Sequence, residues 1–359
     1  MGAEGYVEQL NGASAQVTVA VDAMGGDHAP HEVVKGALEA QRRGARVVLV
    51  GQPAEIQCCL DEFNCGTAPI VPASEVIAMH EQYAEAVRRP DSSLRVAANL
   101  VASGKADAVV SCGNSAAIMG VALHVWGRQP GIDRPAFGGT LPSRDGMVFV
   151  LDIGANPEVK SSNLVQFAVM GDQYVQIATG MKAPRVALLS NGTEDSKGTK
   201  EVKEAHEELR KMDLNFVGNV EGNQVFEDLV DVVVCDGFTG NVLLKGGEGV
   251  AAAIFDLLRT EINKDFMAKL GAAALKPVFR RIKRRLDFES YGGAPVLGVN
   301  EVMINCHGRS SNRAVTNAIF LAERLAREGL IDRIGQALQL DGEVGRRRRL
   351  ARALHLRSE

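Results

Sequence analysis

The run VTVAVD at Val17–Asp22 is almost entirely β-branched or small and apolar. Such a run is typical of a strand buried on both faces of a parallel sheet. The polar loop AMGGD (23–27) follows, and Pro30 then opens a segment with helically spaced apolar residues that ends at Gly44. The run ARVVLV (45–50) is the next predicted strand. The segment therefore predicts a strand–helix–strand unit with parallel strands.

The order of strand, polar glycine-containing loop and helix recurs along the rest of the chain. Further predicted strands, each followed by such a loop and a helix, are 106–111, 147–152, 185–190, 231–235 and 302–305. Alternating strands and helices predict the α/β fold class, with a doubly wound, mostly parallel sheet in a three-layer arrangement. In such a sheet the strand-to-helix loops emerge at the carboxyl edge, where ligands bind. We therefore expect the six loops to line one crevice.

Glycine is the outlier in composition, since 38 of the 359 residues are glycine and the usual share is about 7%. Many of these glycines fall in the six loops, together with Asn, Ser, Asp and Lys. Glycine lets backbone N–H groups approach a ligand, and the following helix N-termini favour an anion. The loops therefore predict an anion-binding cleft, and tight turns without a ligand are the alternative. No G-x-x-x-x-G-K-[ST] motif is present, which argues against a Walker-type nucleotide site.

Bulk properties restrict the other classes of function. The net charge of −4 excludes a strongly basic nucleic-acid binder, so we expect no nucleic acid partner. No run approaches the ~18 to 20 apolar residues of a spanning helix, and the first residues lack the pattern of a signal peptide, so we expect a cytoplasmic protein. The six cysteines form no C-x-x-C pair, and we expect reduced structural thiols and no metal site. We predict a flexible N-terminus at 1–15, a single α/β catalytic domain at 16–335 and a disordered basic tail at 341–359.

A set of short motifs resembles those of the bacterial phosphate acyltransferases of phospholipid synthesis. The motif DAMGGDHAP at 22–30 is the most distinctive, and others follow in the same order, among them SCGN (111–114), LDIGAN (151–156) and CDGFTGN (235–241). The resemblance extends from about residue 17 to about residue 335. The chain departs from the family pattern at 115–117, where SAA replaces Thr-Gly-Ala, and at 89–91, where RPD lacks the usual lysine pair.

The resemblance implies a fold similar to phosphotransacetylase and to the isocitrate and isopropylmalate dehydrogenases. It implies reversible transfer of a fatty acyl group from acyl-(acyl carrier protein) to orthophosphate, which gives acyl phosphate for phosphatidic acid and phospholipid synthesis. It also implies a homodimer that associates peripherally with the inner face of the membrane and hands its product to a membrane glycerol-3-phosphate acyltransferase. A phosphotransacetylase-like enzyme that uses acyl-coenzyme A is the alternative.

The implied reaction makes modest chemical demands. Phosphate is already an anionic nucleophile and a thioester is an activated acyl donor, so direct attack needs no covalent acyl-enzyme, metal or cofactor. The site must position phosphate and donate hydrogen bonds to a tetrahedral oxyanion. The predicted catalytic residues are Lys197, His307, Asp236 and Asn241. The predicted substrate-binding residues are Asp22, Gly25, Gly26, Asp27, Gly113, Asn114, Ser115, Asn156, Gly192, Gly198 and Thr239.

Individual roles within this set are hypotheses. Lys197 ends a polar loop, so we predict a phosphate-facing cation, with a solvated lysine as the alternative. His307 either protonates the leaving thiolate, donates a hydrogen bond to phosphate or is satisfied by backbone at the sheet edge. Asp22 and Asp27 are predicted to orient other groups, and Asp236 is the best candidate if a general base is used.

A second feature is a basic amphipathic segment. Seven basic residues and no acidic ones lie between Phe266 and Leu286, separated by apolar residues. Because Gly271 and Pro277 interrupt the segment, we predict two short helices that meet near 271–277, within a hairpin insertion at about 258–292. The hairpin suits an anionic membrane surface or an acidic carrier protein, and a dimer-packing arm is the alternative. The predicted contact residues are Leu275, Phe279, Arg280, Arg281, Lys283 and Arg284.

Overall fold

The computed structural model describes residues 16–63, 67–81, 87–285 and 292–339. The predicted flexible N-terminus at 1–15 and the predicted basic tail at 341–359 lie outside the described residues, as do the side chains of Lys283 and Arg284.

Strands and helices alternate along most of the described chain. The strands are β1 (Thr18–Asp22), β2 (Arg46–Gly51), β3 (Ile70–Pro72), β4 (Ala108–Ser111), β5 (Ala136–Pro142), β6 (Met147–Leu151), β7 (Val186–Leu189), β8 (Phe216–Val220), β9 (Val232–Val234), β10 (Ala294–Leu297) and β11 (Val302–Asn305). The helices are α1 (His31–Arg42), α2 (Pro53–Phe63), α3 (Ser93–Ala102), α4 (Ser115–Val125), α5 (Ser161–Thr179), α6 (Lys200–Leu209), α7 (Gly237–Lys264), α8 (Phe266–Arg285) and α9 (Asn312–Arg327). Residues 330–339 are also helical.

The strands form one sheet in the order β3-β2-β1-β4-β11-β10-β5-β6-β9-β7-β8. Most neighbours are parallel, which confirms the predicted α/β class and the mostly parallel sheet. Alternate residues of β1 enter different layers: Val19 and Val21 belong to the core that contains α1 and α9, and Ala20 to the core that contains α3 and α4. Helices therefore cover both faces of the sheet, because side chains alternate along a strand.

Two strands reverse the direction of the sheet at its centre. β10 is antiparallel to β11 and to β5, and β5 is antiparallel to β6. The five strands on one side of the sheet, β3, β2, β1, β4 and β11, therefore point one way. The four on the other side, β6, β9, β7 and β8, point the opposite way. Because the two halves run in opposite directions, the expectation that all strand-to-helix loops leave from one edge is wrong. The reversal was not predicted because β5 and β10 lack the long apolar runs from which strands were predicted.

The register nevertheless brings loops from the two halves together. Asn305 at the end of β11 pairs with Ala294, Val296 pairs with Phe137, and Gly138 pairs with Leu151 at the end of β6. The carboxyl ends of β11 and β6 thus lie at nearly the same level across the two intervening strands. Loops from the opposed halves meet at the centre of the sheet.

The predicted helical hairpin is formed by α7 and α8, but its turn is not at 271–277. Asp265 has an extended backbone between the two helices, and its carboxylate accepts a hydrogen bond from the Met267 N–H at 3.0 Å. Gly271 and Pro277 both lie inside α8. The predicted meeting point is therefore wrong, because the cap that Asp265 provides, and not the glycine or the proline, separates the helices. Within the described part of the chain, no helix combines the length and apolar character needed to cross a membrane.

The first turn of α7 packs directly on the backbone after β6. A Cβ at Gly240 would overlap the Asp152 carbonyl oxygen, whereas a Cβ at Gly246, in the same helix, would meet nothing within 4 Å. The absence of a side chain at Gly240 is therefore required for this approach.

We predict that Gly240→Ala destabilises the protein by roughly 1–3 kcal/mol, because the new methyl group must displace backbone. The matched variant Gly246→Ala should stabilise the protein by about 0.5–1 kcal/mol, since alanine is the better helix former. Thermal unfolding measures both changes. An unchanged melting temperature for Gly240→Ala would contradict the close approach.

Candidate active site

A cavity of about 1320 Å³ lies where the two halves of the sheet meet. Five of the six loops contribute to it, through Asp27 after β1, Gly113 after β4, Asn156 after β6, Asn241 in the first turns of α7, and His307 after β11. The cavity is therefore shared between both halves rather than built on one sheet edge.

The sixth loop, between β7 and α6, lies outside the lining of this cavity. Its Asn191 side chain accepts a hydrogen bond from the Gly198 N–H at 2.9 Å, and the Lys197 side chain lies over Gly192, where a Cβ would come within 2.7 Å of the Lys197 Cγ. Gly192, Lys197 and Gly198 do not line the cavity, because their loop folds back on itself through these contacts. The expectation that all six loops share one crevice is therefore wrong. A catalytic role for the exposed Lys197 stays a prediction from the sequence.

Side chains from the half of the sheet that ends at β11 form a polar end of the cavity. His307 accepts a hydrogen bond on Nδ1 from the Arg309 N–H at 3.2 Å, so a neutral His307 ring carries its proton on Nε2. The Arg309 Nε lies 3.7 Å from the Asp27 Oδ2. Ser115 is the first residue of α4 and lines the same end. The polar end therefore combines a ring N–H, a guanidinium group and a hydroxyl group at a helix N-terminus.

Other predicted binding residues lie beneath this surface. The buried Asp22 accepts hydrogen bonds from Ser111 Oγ at 2.7 Å and from the Met24 N–H at 3.3 Å. Burial raises the pKa of the Asp22 carboxyl group despite these hydrogen bonds. A Cβ at Gly25 would lie 2.7 Å from the Asp22 Oδ2, and Gly26 has a φ of +107°. Asp22, Gly25 and Gly26 thus shape the loop and do not line the cavity.

The polar atoms of three more predicted residues make hydrogen bonds at helix N-termini. Asn114 Oδ1 accepts from the N–H groups of Ala116 and Ala117, and its Nδ2 donates to the Met79 carbonyl at 2.6 Å. Asp236 accepts from the Thr239 N–H at 2.8 Å and from its hydroxyl at 2.6 Å. Asn114, Asp236 and Thr239 are not among the residues that line the cavity. The structure therefore gives Asp236 a capping contact, and its use as a base stays a prediction.

The facing wall depends on Asp152, which is fully buried. Its Oδ1 accepts from the N–H groups of Phe137, Gly154 and Ala155, and its Oδ2 from the N–H and the Nδ2 of Asn156. Asn156 also donates to the Pro135 carbonyl at 2.7 Å. This network holds the β6–α5 loop against β5 and so positions the Asn156 wall of the cavity.

Four basic side chains at the cavity were not among the predicted site residues. They are Arg128, Arg134, Lys245 and Arg309. The Lys245 Nζ lies 2.8 Å from the Glu248 Oε2, and within the described residues the Arg134 guanidinium has no ion pair. Arg134 lies in an irregular segment before an unpredicted strand, and only its position beside Pro135 in the family pattern offered a signal.

One part of the cavity is lined by apolar side chains and is called the apolar arm here. Ala116, Met119 and Leu123 lie on one face of α4, because residues three and four apart share a helix face. Phe137 of β5 and Leu244 of α7 also line the cavity. Leu123 lies eight positions after Ser115, which corresponds to about 12 Å along α4. The cavity therefore extends from a polar end into an apolar channel.

Two cysteines near the cavity are held as thiols. A hydrogen bond with Cys306 and burial raise the pKa of the Cys112 thiol well above its usual value. Burial, together with the neighbouring Asp236 and Asp152, does the same for Cys235. Because the thiolate is the reactive form of cysteine, this environment opposes nucleophilic attack by Cys112 or Cys235.

Comparison with known proteins agrees with this architecture. The family model of fatty acid synthesis proteins matches residues 17–333. The chain is 48% identical to the phosphate acyltransferase of Pelotomaculum thermopropionicum, over 88% of this chain and 92% of that protein. It is 47% identical to the phosphate acyltransferase of Heliobacterium modesticaldum, over 89% of this chain and 96% of that protein. A solved phosphotransacetylase from Streptococcus pyogenes, 18% identical, superimposes with a TM-score of 0.60 over 91% of this chain and 100% of its own.

The sheet and its central cavity define an α/β protein with the fold of the phosphotransacetylases. At 18% identity this structural likeness establishes the fold alone. The chain belongs to the phosphate acyltransferase family and is an acyltransferase, which confirms the resemblance found in its motifs.

Proposed function

We propose that the chain transfers a fatty acyl group reversibly from acyl-(acyl carrier protein) to orthophosphate, giving acyl phosphate for phosphatidic acid and phospholipid synthesis. The observation that carries the proposal is the composite cavity, in which a polar end with the basic side chain of Arg309 continues into an apolar arm. An anion and an alkyl chain are the two ligands that such a cavity suits. The phosphate acyltransferase relatives support transfer of an acyl group to phosphate.

Phosphate binds at the polar end in this proposal. Arg309 supplies positive charge there, and Arg134 and Asn241 lie on the facing wall of the same cavity. Ser115 and Gly113 lie at the start of α4, where the helix dipole favours an anion. These groups hold a phosphate oxygen against the thioester carbon.

The chemical step is direct displacement. A phosphate oxygen forms a bond to the thioester carbonyl carbon, the carbon–sulfur bond breaks, and the proton of hydrogen phosphate passes to the departing thiolate. Because His307 Nδ1 accepts a hydrogen bond, its Nε2–H donates a hydrogen bond to the developing oxyanion and does not transfer its own proton. The raised pKa values of Cys112 and Cys235 support a route without an acyl-enzyme.

Purified protein, incubated with palmitoyl-(acyl carrier protein) and orthophosphate, should produce a hydroxylamine-reactive acyl phosphate and free carrier protein. His307→Ala should lower the rate by roughly 10²-fold, as expected for loss of one oxyanion donor. His124→Ala is the matched control, since His124 is exposed on α4 and does not line the cavity. Faster turnover of palmitoyl-coenzyme A would favour the phosphotransacetylase-like alternative, and no acyl phosphate from either donor would refute the proposal.

The apolar arm provides a test of where the acyl chain binds. Leu123→Trp should block the far part of the arm, so KM for a 16-carbon acyl donor should rise about tenfold while an 8-carbon donor is little affected. His124→Trp places the same indole on the next residue, outside the cavity lining, and should leave the preference unchanged. Steady-state kinetics with both donors measure the ratio. An equal effect of Leu123→Trp on both donors would place the chain elsewhere.

We also propose that α8 attaches the enzyme to anionic membranes. The helix α8 carries exposed apolar side chains, including Phe266, Leu270 and Leu275, and the exposed basic residues Arg280 and Arg281. Such a helix binds in the plane of a membrane surface, where the labile acyl phosphate would reach a membrane glycerol-3-phosphate acyltransferase. The exposed apolar residues Phe238, Val250, Ile254 and Leu257 of α7 support the further proposal of a homodimer.

The double variant Leu275→Glu/Phe279→Glu should lose most co-sedimentation with phosphatidylglycerol vesicles and retain acyl phosphate formation. Ala273→Glu adds a carboxylate to the same exposed helix without removing a large apolar side chain, and should weaken binding by only about 1 kcal/mol. Vesicles of phosphatidylcholine control for charge. Equal sedimentation of the double variant and the unmodified protein would rule out this membrane contact.

A further inference from the structure

We propose that Asn305 is a positioning residue that orients the Ser115 hydroxyl group towards bound phosphate, an inference that rests on the proposed function. Asn305 ends β11 and Ser115 begins α4, so the two residues come from different strand-to-helix connections. The Asn305 Nδ2 donates a hydrogen bond to the Ser115 Oγ at 2.8 Å. Both residues line the central cavity.

The direction of this hydrogen bond determines what the hydroxyl group can do. An amide NH₂ group only donates, so it occupies a lone pair of the Ser115 oxygen and offers no acceptor to the hydroxyl proton. That proton is therefore free to point into the cavity. A hydroxyl donor at the N-terminus of α4 suits an anionic oxygen.

A second observation concerns the other end of the same amide. Asn305 is 8% exposed, and its Oδ1 is buried without a hydrogen-bond partner in the described parts of the chain. A buried acceptor without a donor is unfavourable, so the arrangement is completed by a donor from outside the protein.

The neighbouring residues support a ligand contact rather than a simple structural tether. Cys306 and His307 follow Asn305 directly and line the same cavity. The adjacent backbone is already held by the Cys306 N–H, which donates to the Ser111 carbonyl at 2.8 Å. The connection between β11 and β4 therefore does not depend on the Asn305 side chain.

The test is a double-mutant cycle with phosphate as the varied substrate. Asn305→Ala and Ser115→Ala should each raise KM for phosphate roughly tenfold, the scale of one hydrogen bond to a charged group. The double variant should show no further rise, because Asn305 acts through Ser115. KM for the acyl donor should stay within about twofold in all three, since the acyl chain binds in the apolar arm.

Two more variants separate positioning from packing. Asn305→Asp accepts the Ser115 proton and adds negative charge, so it should raise KM for phosphate more than Asn305→Ala, with partial recovery as pH falls and the carboxylate protonates. Asn215→Ala is the matched control, because Asn215 bonds the Ala183 carbonyl and lies outside the cavity lining. Thermal unfolding confirms that each variant is folded.

Direct titration of orthophosphate by calorimetry distinguishes failure of this inference from failure of the proposed function. Multiplicative effects in the double variant, an unchanged phosphate affinity in Asn305→Ala, or full activity of Asn305→Asp would overturn the positioning role. If the unmodified protein binds phosphate but forms no acyl phosphate, the proposed function fails and the dissociation constants for phosphate still decide the role of Asn305. If it does not bind phosphate, both are refuted.

Discussion

The Asp152 carboxylate is the interaction on which the central cavity depends. It is fully buried at the end of β6. It accepts one hydrogen bond from β5 and four from the loop between β6 and α5. A buried carboxylate without donors would cost several kcal/mol, so the loop wraps around it and exposes Asn156 to the cavity. Gly240 then lets α7 pack against the Asp152 backbone, which brings Asn241 and Leu244 to the cavity wall.

A second buried carboxylate has the corresponding place in the opposite half of the sheet. Asp22 at the end of β1 accepts hydrogen bonds from Ser111 and Met24, and so ties the β1 loop to β4. The two halves run in opposite directions, and β10 and β5 join them with a register that aligns their carboxyl ends. The polar end and the apolar arm are thus two parts of one cavity that neither half of the sheet forms alone.

Local patterns predicted many of the elements that position the site. The run at 17–22 became β1 at Thr18–Asp22, and the helix opened by Pro30 became α1 at His31–Arg42. β5 was not predicted because Gly138 and Gly139 interrupt its apolar pattern, although that strand forms the floor between the two halves. Asp236 and Thr239 carried suitable side chains, but their polar atoms bond to each other at the start of α7. Residue type therefore showed which hydrogen bonds a side chain can make, but not which partner it bonds in the folded protein.

The sequence by itself determined the α/β class, most of the alternating elements, and membership of the phosphate acyltransferase family, since these depend on local runs and on ordered motifs. Only the tertiary structure decided which loops meet. Lys197 and Arg309 both follow strands in polar loops, yet only Arg309 lines the cavity. Strand order, strand direction and register set this outcome, and they arise from contacts between residues far apart in the chain. The pairing of Asn305 with Ser115, 190 residues apart, has the same origin.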